Sequence, residues 1–363
     1  GAECESESRS KVTGRDIIVM GGSAGAVEAI SEIVAGLPAD LPAAVFVVIH
    51  FPAYATSMLP EILARRGALP ARHARDGEPI VPGRIYVAPP DHHLLMDRDC
   101  VRVVRGPREN SHRPAVDPLF RSAARSHGPR VIGVVVTGTL DDGTAGVAAV
   151  RERGGICVVQ DPAEAMYPGM PSSAISIAGA DHVVSLAEIA PLLAQLAANP
   201  VISEETPVPD RMEMEAEISE MDAGALAGDE RPGVPSSYSC PECHGVLWEI
   251  QEGAVVRFRC RVGHGYSVET LLAEQSDSVE AALWTAMMAL KERGALARRM
   301  SERLTERGND RSAQRFEDQA AEADARAETI RRVLEHVHPA VSQGPERATQ
   351  LETAEQQGIG NRE

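Results

Sequence analysis

The chain of 363 residues is 43% hydrophobic, 25% charged and 3% aromatic, and its formal net charge is −17. That length suits at least one sizeable core and fits two domains. No apolar run approaches the roughly 18 residues of a membrane span, no hydrophobic signal core opens the chain, and the negative charge opposes phosphate backbones. The expected setting is cytoplasmic, without nucleic acid and without membrane insertion.

In chain order, residues 1–15 form a polar N-terminal segment. Residues 16–199 then alternate short β-branched runs with helical stretches. The runs "DIIVM" (16–20), "AAVFVVIH" (43–50), "RIYVAP" (84–89), "VIGVVV" (131–136) and "GICVVQ" (155–160) predict strands. Helices are expected at 25–36, 57–66, 117–127, 143–153 and 186–198, and a hairpin at 92–104 around "DRD". Continuous apolar strands joined by helices imply a sheet covered on both faces, hence an α/β, doubly wound, mostly parallel fold.

Residues 200–238 change character. Ten acidic residues fall within 204–237, among Pro and Gly with little bulky apolar content, which predicts an acidic disordered linker. The uneven charge agrees: residues 1–200 carry 18 basic and 22 acidic side chains, residues 201–363 carry 18 and 31. A compact module is expected at 239–267, a helical hairpin at 268–340 from its apolar spacing, and a polar tail at 341–363.

The stretch "VMGGSAGAVEAI" holds the first chemical signal. Its glycines fail the G-x-G-x-x-G spacing of a dinucleotide cradle, and no G-K-[ST] marks a P-loop. Gly21-Gly22-Ser23-Ala24-Gly25 does fit G-x-S-x-G between a strand and a helix, a turn that exposes a nucleophilic serine. Such a serine needs a base, and the base needs an orienting carboxylate. His50 ends the next strand, and Asp141 and Asp142 follow "VIGVVVTGTL", so all lie at strand carboxyl ends, where open α/β sheets place their sites. His73, His92, His93, His112 and His127 fall in loops or helices and read as structural.

The late cysteines form a second pattern. Cys240 and Cys243 are C-x2-C, sixteen residues intervene, and Cys260 and His264 are C-x3-H. Thiolates and an imidazole at such spacing suit a closed tetrahedral zinc on a ribbon-like hairpin; His244, inside the knuckle, is the weaker ligand. Arg257, Arg259 and Arg261 alternate, so they share one strand face, and partner docking is their expected use.

The pieces "VMGGSAGAVEAI", "VVIHFP", "IYVAPPDHHL", "HRPAVDPLFRSAA", "VVVTGTLDDGTAGVAAV" and "YPGMPSSA" stand in the order found in the chemotaxis receptor methylesterases, the CheB family. The resemblance covers residues 14–197. It implies a serine hydrolase that removes methyl esters from glutamate side chains of methyl-accepting chemoreceptors, with deamidation of receptor glutamines as a second activity. Ser23 is then the nucleophile, His50 the base and Asp142, the aspartate before glycine, the orienting acid; catalysis needs no cofactor. Thr139 stands where the family has a methionine lining the oxyanion site, and Ala24 where threonine is common. Arg113 resembles a loop residue bordering the site and would dock acidic receptor helices. Only about fifteen polar residues precede the first strand, so a receiver-less form is expected, with the zinc-ribbon-like and helical extension found on similar members. Expected partners are receptor helices and a receptor methyltransferase or other chemosensory protein. The rival is a weak or inactive esterase-like scaffold that docks partners through the extension. A flexible linker of 39 residues reaches roughly 30–35 Å, which would let the tail cover the site and leave a fragment 1–199 folded and active.

Overall fold

A computed structural model describes residues 11–54, 56–203, 207–220 and 233–337. After β1 (Lys11–Gly14), β2 (Ile17–Gly22) leads into α1 (Ala26–Gly36), and β3 (Ala44–Ile49) into α2 (Leu59–Arg66). Then come β4 (Ala71–His73), β5 (Ile85–Val87), the hairpin β6 (His93–Met96) and β7 (Val101–Val104), and α3 (Val116–His127). The α/β part closes with β8 (Val131–Val135), α4 (Thr144–Glu152), β9 (Ile156–Gln160), α5 (Gly169–Ser173), β10 (His182–Val184) and α6 (Leu186–Ala198).

Seven strands form one sheet in the order β10-β9-β8-β2-β3-β5-β4, and every pair in it is parallel. Strands β2, β3 and β8 are buried along their whole length, as the unbroken apolar runs require of a sheet covered on both faces. Ile30 and Ile33 of α1, Leu63 of α2 and Leu193 of α6 pack on one face with Val45 and Val134. Leu119 and Phe120 of α3, Val147 of α4 and Leu94 of β6 pack on the other with Val19 and Phe46. The chain leaves β2 toward β3 on one side and returns through β8 on the other. The carboxyl ends of these three strands therefore flank the point where the winding reverses.

The stretch expected to be a linker is built otherwise. It holds β11 (Pro200–Ser203), antiparallel to β1, then α7 (Asp210–Ser219), and its end belongs to β12 (Val234–Ser239). Residues 204–206 and 221–232 of it, like residues 1–10, the end 338–340 of the expected helical hairpin and the polar tail 341–363, lie outside the described residues. Strand β12 joins β13 (Val246–Glu252), β14 (Val255–Cys260) and β15 (Gly265–Ser267) in a four-stranded antiparallel sheet. That sheet is no separate module. Compact units divide between Leu272 and Ala273, so the antiparallel sheet and the α/β sheet share one body. The second unit contains most of the helix Val268–Glu306 and all of Asp310–Val337. The Ser301 hydroxyl bonds the Ala313 carbonyl at 3.0 Å, and Ala297, Ala313, Ala320 and Ala323 are buried, so the helical hairpin closes on an alanine seam. Among the described residues no helix is long and apolar enough to cross a membrane.

The first body is joined by a buried ion cluster. Glu215 of α7 takes Arg257 Nη1 at 2.6 Å and Arg259 Nε at 3.0 Å, and Arg121 Nε of α3 lies 3.3 Å away. Glu109 takes Arg121 Nη2 at 2.7 Å and Arg259 Nη2 at 3.0 Å. Arg257 also reaches Glu252 at 2.9 Å, which leaves three guanidinium groups facing three carboxylates. Two members of the alternating arginine stripe are thus inside the molecule rather than displayed to a partner; only Arg261 is exposed. Burial alone would raise the Glu109 carboxyl, yet Arg121 and Arg259 hold it down at about 2.

Removing one member strands the others without water. Glu215→Ala should cost about 3–5 kcal/mol in urea unfolding, whereas Arg326→Ala, which breaks an exposed pair with Glu322, should cost under about 1 kcal/mol. The Glu109 contribution is complete above its ordinary value of 4.5 and is lost as pH falls toward about 2. A pH-unfolding series on the Glu109→Gln chain should accordingly show a shallower acid limb than wild type.

Candidate active site

The turn after β2 is built for close approach. Gly25 sits at φ 75° as the residue before α1, in the left-handed region that glycine enters without a Cβ clash. A Cβ on Gly22 would stand 2.6 Å from the Ala26 Cβ and 2.7 Å from Val136. The Ser23 amide bonds the Thr137 carbonyl at 3.0 Å, and the Thr137 hydroxyl bonds the Ala24 carbonyl at 3.0 Å, pinning the turn to the end of β8. Ser23 is thereby lifted above the sheet.

His50, one residue past β3, places Nδ1 3.0 Å from Ser23 Oγ and Nε2 2.7 Å from Asp142 Oδ2. With a proton on Nε2 bonded to the carboxylate, Nδ1 offers its lone pair to the serine hydroxyl. Asp142 is almost fully enclosed and accepts four more bonds. Val116 N donates at 2.7 Å, Asp117 N at 3.2 Å, Gly143 N at 3.0 Å and Asn110 Nδ2 at 2.8 Å. Two of those amides open α3, where a helix N-terminus favours an anion. Burial alone would raise this carboxyl, but the His50 bond and the amides hold it well below the carboxylate range, so it stays ionised. Neighbouring Asp117 is pushed up by burial and then by Asp142. Asp141 faces elsewhere: its Oδ1 takes the Ser267 hydroxyl at 2.5 Å, and burial raises it to about 6.

The sequence reading passes over the turn Glu109-Asn110-Ser111-His112. Glu109 and His112 exchange backbone bonds of 3.2 and 2.9 Å, and the two central residues have φ of 50° and 65°. Positive φ at both central positions is the type I′ signature; Asn tolerates it, Ser does so at about 1–2 kcal/mol. The turn sends the Asn110 amide to Asp142 and lays the His112 ring on His50, with centroids 3.6 Å apart and planes 14° apart. Burial, then the neighbouring His50, lowers His112 to about 4, so it is neutral at pH 7. An Asn-Ser pair directly before "HRPAVD" is the only sequence signal of this turn.

A cavity of about 500 Å³ opens beside the serine, lined by Ser23, His50, Phe51, Arg108, His112 and Arg113 among others. Ala24 lines it too; Thr139 does not, being exposed, and Thr137 is the threonine that touches the elbow. Arg113 is committed: it bonds Asp91 at 2.6 and 2.9 Å and the Gly106 carbonyl at 2.7 Å. Arg108 is the guanidinium at the cavity with no side-chain partner among the described residues. Buried His93 bonds the Pro107 carbonyl at 2.8 Å and supports the same loop.

Cys240, Cys243, Cys260 and His264 bring their ligand atoms within 4.8 Å of one another. The Cys240 and Cys260 sulfurs lie 3.6 and 3.5 Å from His264 Nδ1, and the Cys243 and Cys260 sulfurs are 3.5 Å apart. Four ligands set tetrahedrally around zinc at about 2.0–2.3 Å stand roughly 3.5–3.8 Å from each other. His264 Nε2 faces Glu242 at 3.4 Å, the carboxylate partner that a metal-bound imidazole uses to fix its tautomer.

Residues 18–193 match the family of CheB methylesterases. A protein named protein-glutamate methylesterase/protein-glutamine glutaminase 4, from Anaeromyxobacter dehalogenans, is 40% identical over 185 residues, 50% of this chain and 52% of its own length. One so named, with the number 1, from Xanthomonas campestris pv. campestris, is 40% identical over 194 residues, 52% of this chain and 54% of its own. The crystal structure of the Thermotoga maritima CheB methylesterase catalytic domain is 33% identical, with 51% of this chain and 100% of that one covered at a TM-score of 0.49. The chain spans about half the length of the curated relatives it matches.

A fluorophosphonate probe should label Ser23 in the folded chain and should fail to label Ser23→Ala. Asp142→Asn should slow labelling by up to roughly 10⁴-fold, because the amide imposes the wrong imidazole tautomer. Asp141→Asn, which keeps an acceptor for Ser267, should stay within about threefold of wild type. Rate constants from in-gel labelling decide between the two aspartates.

Proposed function

The chain belongs to the CheB methylesterase family through residues 18–193, and on that premise we propose that it is a protein-glutamate methylesterase acting on methyl-accepting chemoreceptors. The observation that carries the reading is the pair of contacts made by His50, 3.0 Å to Ser23 and 2.7 Å to Asp142. The His50 Nδ1 lone pair takes the Ser23 proton as Oγ attacks the glutamyl ester carbonyl. The Ser23 amide is spent on Thr137, so the oxyanion is met by the Ala24 amide in the turn before α1, the one of the two expected oxyanion residues that lines the cavity. Such donors contribute several kcal/mol. The imidazolium returns its proton to the leaving methoxide and methanol departs. Water, deprotonated by His50, then splits the acyl-serine to free the glutamate carboxylate. A glutamine amide can follow the same path with ammonia as leaving group.

A cavity open on one side suits a side chain presented from a helix, as on the cytoplasmic helices of a chemoreceptor. Arg108 is the cation that meets the acidic neighbours of the methylation site; Arg113, tied to Asp91, shapes the rim. The complete triad and its enclosed carboxylate disfavour the inactive scaffold. The enzyme works in the cytoplasm, where its receptors are methylated by a receptor methyltransferase, and needs no cofactor for the reaction. Cys240, Cys243, Cys260 and His264 hold a structural zinc in a zinc-ribbon-like sheet.

Methanol released from methylated receptor should appear with wild type and vanish with Ser23→Ala. Absence of methanol from a chain that still labels at Ser23 would overturn the substrate assignment. Arg108→Ala should raise KM for receptor several-fold more than KM for a small ester. Elemental analysis should find about one zinc per chain, lost on Cys240→Ser.

A further inference from the structure

The antiparallel sheet and the triad meet at one residue. Gly265 of β15 pairs with the turn at 109–112: its amide donates to the Arg108 carbonyl at 3.0 Å, and its carbonyl accepts from the Asn110 amide at 2.8 Å. The Ser267 amide donates to Asn110 Oδ1 at 2.8 Å. On its other side the same carboxamide donates to Asp142 Oδ1 at 2.8 Å and to Asp117 Oδ2 at 3.0 Å. Asn110 therefore spends its whole side chain joining β15 to the two carboxyls beneath the active site. Next to it, Glu109 is held by Arg259 of β14, whose Nη1 also bonds the Gly263 carbonyl at 2.7 Å.

The segment that feeds β15 is shaped by the cysteine and histidine cluster. Cys260 and His264 bracket a tight turn, with the Cys260 amide on the His264 carbonyl and the Gly263 amide on the Cys260 carbonyl, both at 3.0 Å. Gly263 sits at φ 106° against Pro107 and Ile218, so the turn also leans on the loop and α7. Gly265 is the next residue after the last ligand. A metal held by the four ligands fixes where β15 begins, and β15 fixes the turn that carries Asn110 and His112. Asn110 bonds the acid of the triad and His112, which also lines the cavity, lies on the face of its base.

We propose that the antiparallel sheet is part of the esterase's working machinery, with Asn110 as a positioning residue that transmits the order of the metal centre to Asp142. This rests on the esterase and zinc readings above. Metal loss, by chelation or by oxidation of the thiols, then lowers turnover by loosening the turn that holds Asp142 against His50. Asn110 does not meet the reacting atoms; it keeps Asp142 where His50 Nε2 can use it.

The test uses the full chain, a small acetate ester as probe, and metal removal by a chelator under reducing conditions. Metal removal should lower kcat at least tenfold with KM within twofold, and added zinc should restore it. Asn110→Ala should lower kcat by a similar factor while retaining its zinc and its melting transition. Chelating Asn110→Ala should then cost less than threefold more, because both changes act through one link. Asn110→Asp keeps an acceptor for the Ser267 amide but loses the donor to Asp142, and it should not rescue. Unchanged kcat in a chain shown to have lost its metal overturns the coupling, as does full additivity of the two changes. A chain purified without metal refutes the zinc reading alone, since the Asn110→Ala kcat still decides the positioning role. A wild-type chain that neither turns over the ester nor labels at Ser23 refutes the esterase reading, and the positioning role with it.

Discussion

One carboxylate with almost no access to water organises the α/β part of this molecule. Asp142 accepts bonds from His50, Asn110, Val116, Asp117 and Gly143. The five donors come from four pieces of structure: the end of β3, a strained turn, the opening of α3, which gives two, and the approach to α4. A buried anion is tolerable only with such complete coordination. The positions of these pieces are therefore mutually constrained, and the serine hydroxyl at the end of the chain of contacts inherits that rigidity.

The coordination does not close within the α/β sheet. Asn110 reaches Asp142 from a turn that costs energy on its own and is clamped from behind by β15. Glu109, at the base of the turn, needs Arg259, and Arg121 of α3 needs Glu215. Desolvating six charges is unfavourable unless every one is met, and the residues that meet them are split between the α/β sheet and the segment 210–259. A fragment ending at residue 199 would keep Glu109 and Arg121 while losing Glu215, Arg257 and Arg259. In such a fragment Glu109 and Arg121 would keep only each other.

The triad and the parallel sheet were legible because their signals are local: unbroken apolar runs, glycines around one serine, polar residues just past strand ends. Asp142 was separable from Asp141 only through the family resemblance, since both follow the same strand. Helix α7 was not legible. Its buried residues are Met212, Glu215, Ala216, Ile218 and Ser219, which have helical spacing, but two of the five are polar, so a clear hydrophobic period does not appear. Glu215 looks like its acidic neighbours, and nothing in one sequence marks which of ten acids is taken inside. The arginine stripe gave the right face and the wrong surroundings for the same reason: alternation reports that Arg257 and Arg259 share a side, not what lies against it. Asn110 and Thr137 act from loops, where side-chain direction depends on backbone angles that no periodicity encodes.

The separation of the cluster along the chain has a consequence for synthesis. Glu109 and Arg259 are 150 residues apart. At a translation rate of about 5–20 residues per second, Glu109 waits on the order of ten to thirty seconds for its partner. During that interval Glu109 has Arg121, made twelve residues after it, but not Arg259 to meet its charge. The cluster can therefore close only once residues 215–259 have been made, so the turn at 109–112 gains its full set of partners late in synthesis.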